Sequence, residues 1–211
     1  MSKLNNKKLL RSARYSVGID EVGRGALAGP VVVSAVAIPT KLRIANYELG
    51  KLRDSKKLSA KRREAWFEYL AWHPALCYSI ARVYPRRIEK LNITNAANSA
   101  ALRAYMRLIA NGGFRTKKSR ILLDGGLYLG NGKRFPNAKT VVRGDEKFVA
   151  VKIASILAKV SRDRLMKRLA RKYPRYGFEV HKGYGTKKHF AAIKRHGPSE
   201  IHRMTFLRGR A

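Results

Sequence analysis

Two carboxylates stand side by side at Asp20-Glu21, where an apolar run from Tyr15 to Ile19 meets Val22-Gly23-Arg24-Gly25. Two further apolar runs lead to an acid beside glycine. Arg120 to Leu123 runs into Asp124-Gly125-Gly126, and Thr140 to Val142 runs into Arg143-Gly144-Asp145. Acids are scarce in this chain, 13 Asp and Glu against 47 Lys and Arg, so their grouping is informative. Strands of one sheet commonly end at a shared crevice. Four carboxylates gathered there would repel one another unless positive charge stood between them. Lys or Arg could supply that charge, but hard divalent cations do it better, and oxygen-only ligands favour Mg²⁺ or Mn²⁺. Two such ions ~3.5–4 Å apart can activate water and stabilise the leaving oxygen in phosphodiester hydrolysis. One geometric condition applies. Consecutive strand residues point to opposite faces, so Asp20 and Glu21 can share a centre only at a strand end, a bulge or the sheet's rim. On the residues alone a plainer arrangement stays open, with Glu21 paired to Arg24 and Asp20 capping the turn.

The elements that must position these acids follow from periodicity. Tyr15 to Ile19 and Val31 to Ile38 read as strands joined by a glycine-dense hairpin that ends in Pro30. Ser59 can cap a helix through about Leu70, and Ser79 to Tyr84 alternates as a third strand. Asn95 or Asn98 can start a helix that stops near Asn111-Gly112-Gly113. Arg120–Leu123 and Thr140–Val142 supply two short strands, and apolar spacing predicts a helix from Phe148 to about Lys172. A short helix to about Arg195 follows the His181–Thr186 loop. Strands in a hairpin first, then strands alternating with helices, imply an α/β fold: a mixed five-stranded sheet flanked by helices, with a helical C-terminal segment. One domain over 15–211, preceded by a flexible basic arm at 1–14, is the simplest organisation for 211 residues.

Composition names the partner class. A formal net charge of +34 opposes compaction by self-repulsion, which a polyanion relieves, and nucleic acid is the natural one. No run approaches the ~18 apolar residues that span a bilayer, which argues against a membrane protein. The basic residues Lys3, Lys7, Lys8 and Arg11 precede no apolar stretch of a secretory leader. The chain therefore reads as soluble and cytoplasmic. Cys77, the single cysteine, cannot form an internal disulfide and sits in an apolar stretch as a structural residue. Gly23-Arg24-Gly25 is either a turn needing positive φ or a place where a nucleic-acid backbone approaches closely beside one guanidinium. Tyr184, between Gly183 and Gly185, is either a packed loop residue or a stacking platform for a base or sugar.

Together these segments resemble ribonuclease HII. The D-E-x-G-R-G signature is matched by Asp20-Glu21-Val22-Gly23-Arg24-Gly25. The match continues through Ala28–Val32, Asp54–Leu58, Leu123–Gly125, Gly144-Asp145, Ala154–Val160, Arg162-Asp163, His181–Tyr184 and Ile201–Arg203. These blocks run in family order from about residue 15 to 206. The resemblance implies an RNase H-like fold and Mg²⁺- or Mn²⁺-dependent cleavage of RNA in RNA–DNA hybrids, including incision 5′ to a single ribonucleotide in duplex DNA. It makes Asp20, Glu21, Asp124 and Asp145 the catalytic metal ligands. It makes Gly23, Arg24 and Gly25 the loop that grips the RNA–DNA junction and Tyr184 the residue that senses it. Lys56, Ser155 and Lys159 become further substrate contacts, and a monomer is expected. Asp163 reads as structural, ion-paired to a nearby base. Lys152 departs from the pattern, which has small residues before Ala154-Ser155, and is expected to crowd or re-charge that helix. The related ribonuclease HIII carries an extra N-terminal domain for which residues 1–14 are too short, and its glycine loop departs from G-R-G. A non-catalytic basic RNA- or DNA-binding protein is the alternative from another class. It would need the basic surface but not four acids at strand ends.

Overall fold

The computed structural model describes residues 14–46, 48–112, 119–130 and 134–209. Residues 1–13 of the expected basic arm, and Gly113 of the expected helix stop, lie outside them. Strands β1 (Tyr15–Val22), β2 (Val31–Pro39), β3 (Cys77–Val83), β4 (Arg120–Asp124) and β5 (Ala138–Val141) form a five-stranded sheet in the order β3-β2-β1-β4-β5. β1 pairs antiparallel with β2 and parallel with β4, and β5 continues parallel beyond β4. The expected mixed sheet is thus present, with boundaries moved by one to three residues, the largest shift carrying β1 through Asp20 and Glu21 to Val22. β1, β4 and β5 all point their C-terminal ends the same way, which brings the acid-bearing ends together.

Alternation along the strands divides the core between the two faces. Tyr15, Val17, Ile19, Ile121 and Leu123 pack with Ala96, Ala97, Ala100, Ala101 and Ala104 of the helix α3 (Ile93–Gly112). Those alanines let the helix lie close to the sheet. On the opposite face, Val36 and Ile38 pack with Trp66 and Leu70 of α1 (Ala60–Ala71) and with Ile153, Ile156 and Leu157 of α5 (Val149–Lys172). Gly18 makes that approach possible: a Cβ there would stand 2.1 Å from the Ala150 carbonyl carbon. Ser59 caps α1 as expected, its hydroxyl accepting from the Arg62 amide at 3.3 Å. A short helix α2 (Pro85–Leu91), starting on its proline, precedes α3 and was not legible as a periodic segment.

The tetrapeptide helix α4 (Gly144–Lys147) lies between β5 and α5, with Phe148 extended between them. Beyond α5 come α6 (Phe178–His181), α7 (Lys187–His196) and α8 (Met204–Leu207). They build a third apolar cluster around Leu27, Met166, Tyr176, Phe178, Ile193 and Leu207. This helical C-terminal segment closes over the β1–β2 connection, with Ala28 bridged to His202 in antiparallel fashion. Cys77 is half-buried, its thiol within 3.9 Å of the Gly112 carbonyl, and burial pushes its pKa up, which suits an inert structural residue. No helix among the described residues is long and apolar enough to cross a membrane.

Candidate active site

Asp20 and Glu21 are the sixth and seventh of the eight residues of β1. The parallel partner β4 reaches only as far as Ile19, so the pair extends past the middle of the sheet and stays bonded to β2 alone, opposite Ser34 and Val33. The pair therefore sits at a strand end, as the geometry demanded, yet alternation is kept. Asp20 turns toward α5, where the Ser155 hydroxyl favours its charged form. Glu21 turns toward the start of α3, where Arg24 donates to its Oε1 at 3.3 Å and to Thr94 Oγ1 at 3.1 Å. The Glu21–Arg24 pairing open from the sequence is real, and it coexists with the acid cluster.

Asp124 ends β4 on the Asp20 side, its Oδ1 accepting the Gly144 amide at 2.6 Å. Asp145 is not at a strand end, which corrects the reading of the Thr140–Val142 run. After β5 the chain turns at Arg143 in the left-handed region (φ 55) and places Asp145 in the first turn of α4. That turn folds the acid back toward Asp124. One oxygen from each of Asp20, Asp124 and Asp145 lies within 4.8 Å of the other two. Glu21 is not in that group of three, but it lines the same cavity of about 290 Å³ with Asp20, Asp124, Ser55, Lys56, Ser155, Lys159 and Tyr184.

Electrostatics at this cluster are unfavourable without a counter-charge. Burial, with Glu21 and Asp124 close by, holds the Asp20 carboxyl well above the usual carboxylate range. Burial also raises Glu21, with Asp124 adding to the effect and Arg24 opposing it. Asp145 is raised by burial and Asp124, against the pull of Lys56, whose Nζ is 3.4 Å from Asp145 Oδ2. The Lys56 side chain is 80% exposed, too loosely held to neutralise three acids. Glu21 Oε2 is buried with no hydrogen-bond partner among the described residues. An unpartnered carboxylate oxygen beside an all-oxygen cluster is the donor set that a hard cation requires.

The other expected contacts divide. Ser155 Oγ lies 2.7 Å from Ser55 Oγ, and both serines line the cavity with Asp20. Lys159 lines the cavity but is also ion-paired to Asp163 at 2.9 Å, which gives Asp163 the structural role expected of it. Lys152, expected to crowd or re-charge the helix, lies outside the acid cavity that Ser155 and Lys159 of the same helix line. It faces a separate cavity with Ile44, Leu52 and Val149. Gly23 has φ +88, and a Cβ there would meet Arg162 Nε at 2.2 Å, while Gly25 is exposed with open space around it. Tyr184 is half-buried over the cavity, with the Arg162 guanidinium 5.3 Å from its ring centre.

Sequence reasoning missed two residues that build the loop. Arg162 and Arg203 are fully buried, and every hydrogen bond from their guanidinium groups goes to a backbone carbonyl. Arg162 donates to Ala28, Pro30 and Lys182, and Arg203 donates to Gly23, Arg24 and Gly29. Burial and the neighbouring Arg162 push Arg203 down to about 9. The two forks fix the glycine loop and the Tyr184 loop relative to each other. In a chain with 47 basic residues neither arginine stands out; only their places beside Asp163 and His202 in matched segments hinted at a role.

Comparison with known proteins agrees with this architecture. The family model for ribonuclease HII matches residues 17–209. A ribonuclease HII of Endomicrobium trichonymphae is 46% identical over 189 residues, covering 90% of this chain and 83% of that protein. One from Bacillus mycoides is 40% identical over 209 residues, covering 98% and 74%. The crystal structure of ribonuclease H2 from Pyrococcus horikoshii OT3 superposes with a TM-score of 0.65 at 27% identity, covering 90% of this chain and 93% of that one. The match spans the acid-bearing strand ends, the glycine loop and the C-terminal helices that clamp it, and the chain belongs to the ribonuclease HII family of RNase H endonucleases.

Proposed function

We propose that this enzyme hydrolyses the RNA strand of RNA–DNA hybrids and incises duplex DNA on the 5′ side of a single ribonucleotide, leaving 5′-phosphate and 3′-hydroxyl ends. The observation that carries this reading is the convergence of Asp20, Asp124 and Asp145 within 4.8 Å, beside a cavity that Asp20, Asp124 and the loop aromatic Tyr184 line. Asp20, Asp124 and Asp145, with Glu21 at the rim, would hold the divalent metal, Mg²⁺ or Mn²⁺ and two ions in the working complex. Such ions supply Lewis-acid polarisation of the phosphodiester and a more acidic water.

The chain's own residues do the rest. Ser55 and Ser155 keep Asp20 oriented through their paired hydroxyls. Lys56 and Lys159, at the cavity wall, meet the phosphates on either side of the scissile bond. The open face at Gly25 lets a sugar–phosphate strand approach the backbone, and Arg24 stands beside it as a fixed cation. Tyr184 stacks against the sugar or base at the junction, where the 2′-hydroxyl is the mark that separates RNA from DNA. On this reading the enzyme works as a monomer in the cytoplasm. A purely nucleic-acid-binding role has no need of three mutually repelling aspartates, two of them buried.

The test is product mapping on a duplex with one embedded ribonucleotide, an all-DNA duplex of the same sequence and a uniform hybrid, each with Mg²⁺ or Mn²⁺. Incision 5′ to the ribonucleotide, with none in all-DNA, is expected. Equal cleavage of all three, or binding without cleavage by folded protein, would overturn the reading.

A further inference from the structure

Three histidines lie under the Tyr184 loop, and their protons can be assigned from their partners alone. His189 Nδ1 is 3.0 Å from the Tyr184 carbonyl, which can only accept, so Nδ1 carries the hydrogen. In a neutral ring Nε2 is then an acceptor. His202 Nε2 lies 3.0 Å from it and must donate. That leaves His202 Nδ1 as an acceptor, and it takes the Ser199 amide at 2.8 Å. His181, stacked on His189 with ring centres 4.3 Å apart, donates from Nε2 to the Tyr176 carbonyl and accepts the Gly183 amide at Nδ1. The bonds accepted at His181 Nδ1, His189 Nε2 and His202 Nδ1 require neutral rings, since protonation would remove those acceptors.

The surroundings keep them neutral. His189 and His202 are buried, and the rings of Phe178 and Tyr176 pack against them. The charged groups felt nearby are Glu179 and Lys182, which act on His181. Burial holds both His189 and His202 down at about 4. The loop they support needs holding, because Lys182 and Gly183 both have positive φ (53 and 82) and Lys182 has no glycine's freedom there.

We propose that His189 and His202 are positioning residues for Tyr184: a one-way relay from the Ser199 amide through His202 and His189 to the Tyr184 carbonyl sets where the tyrosine stands over the acid cavity, and so how well a lone ribonucleotide is selected. This rests on the reading that Tyr184 contacts the substrate. The relay ties the specificity loop to residue 199 in the C-terminal segment, so discrimination depends on that segment being docked.

Two measurements test it. Long-range ¹⁵N–¹H spectra of the wild-type imidazoles at neutral pH should show His189 as the Nδ1–H tautomer and His181 and His202 as Nε2–H. A His189 in the Nε2–H form, or a charged ring, would overturn the relay. In kinetics, His202→Leu should lose about tenfold in kcat/KM on the single-ribonucleotide duplex with less than about twofold on a uniform hybrid, the scale expected of a small misplacement. His202→Gln, which keeps a donor near Nε2, should recover most of the loss. Equal losses on both substrates, or equal losses for Leu and Gln, would mean a merely structural pair and overturn the proposal. A Tyr184→Ala control separates the two readings. If it leaves discrimination unchanged, the role of Tyr184 fails and the kinetic half of the proposal with it, while the tautomers still decide the relay.

Discussion

Asp20→Asn should stabilise the metal-free protein and remove its stabilisation by divalent metal. The substitution keeps an oxygen for the Glu21 amide, which Asp20 Oδ1 accepts at 2.7 Å. It removes a negative charge from a group of three in which Asp20 and Asp145 are buried. At the 4.8 Å outer limit of their separations and an effective dielectric of about 20, each aspartate pair repels by at least roughly 3.5 kcal/mol. Asp20 belongs to two such pairs, but Lys56 offsets part of this, and the wild type escapes much of the rest by taking up a proton. A net gain of about 1–3 kcal/mol at neutral pH remains, a rise in Tm of roughly 3–10 °C for a chain of this size. The pH dependence has a definite sign. Asp20, Glu21 and Asp145 have folded pKa values raised above their unfolded ones, so their contribution to stability is full below the unfolded values and is lost as pH rises through the folded ones. The advantage of the asparagine variant should therefore vanish in acid and grow toward neutrality. Thermal melts of EDTA-treated wild type and variant across this range, with and without Mg²⁺, measure all of it. A variant less stable than wild type at neutral pH, or one still stabilised by Mg²⁺ as strongly as wild type, would refute the reasoning.

Other outcomes follow from the same geometry. Arg203→Lys, which cannot reproduce four bonds to three buried carbonyls, should cost about 2–3 kcal/mol in urea unfolding. A cost below about 0.5 kcal/mol, the size of an ordinary surface change, would show that the loop holds without it. Tyr184→Ala should lose selectivity for the single-ribonucleotide duplex more than overall duplex affinity, read from paired cleavage and binding assays. Binding should weaken steeply with salt, log affinity falling by about 0.9 per neutralised phosphate against log salt, and a shallow slope would mean that most of the +34 charge faces something other than substrate.

Much of this was legible in the sequence, for identifiable reasons. β1, β2 and α5 announce themselves because their apolar residues follow one period over many positions, and the acid pair stands out because carboxylates are rare in the chain. α2 was hidden because seven residues with a basic exposed face show no period. Asp145 was assigned to a strand end because nothing in its residues signals that Arg143 adopts a left-handed turn. The split of Asp20 and Glu21 to opposite sides of β1 follows from alternation, but which acid would join Asp124 depended on where β4 pairs. The buried roles of Arg162, Arg203, His189 and His202 depend on long-range packing. By type alone they read as surface charge.

The central claim is that the Asp20–Asp124–Asp145 cluster holds the catalytic divalent metal. Its most direct test is titration of Mn²⁺ into metal-free protein, followed by electron paramagnetic resonance and by cleavage of a single-ribonucleotide duplex, for wild type and Asp124→Asn side by side. Mn²⁺ binding and incision that rise together in the wild type, both lost in Asp124→Asn while duplex binding persists, are the predicted result. Wild-type turnover by Asp124→Asn, or incision by wild type in excess EDTA, would contradict it.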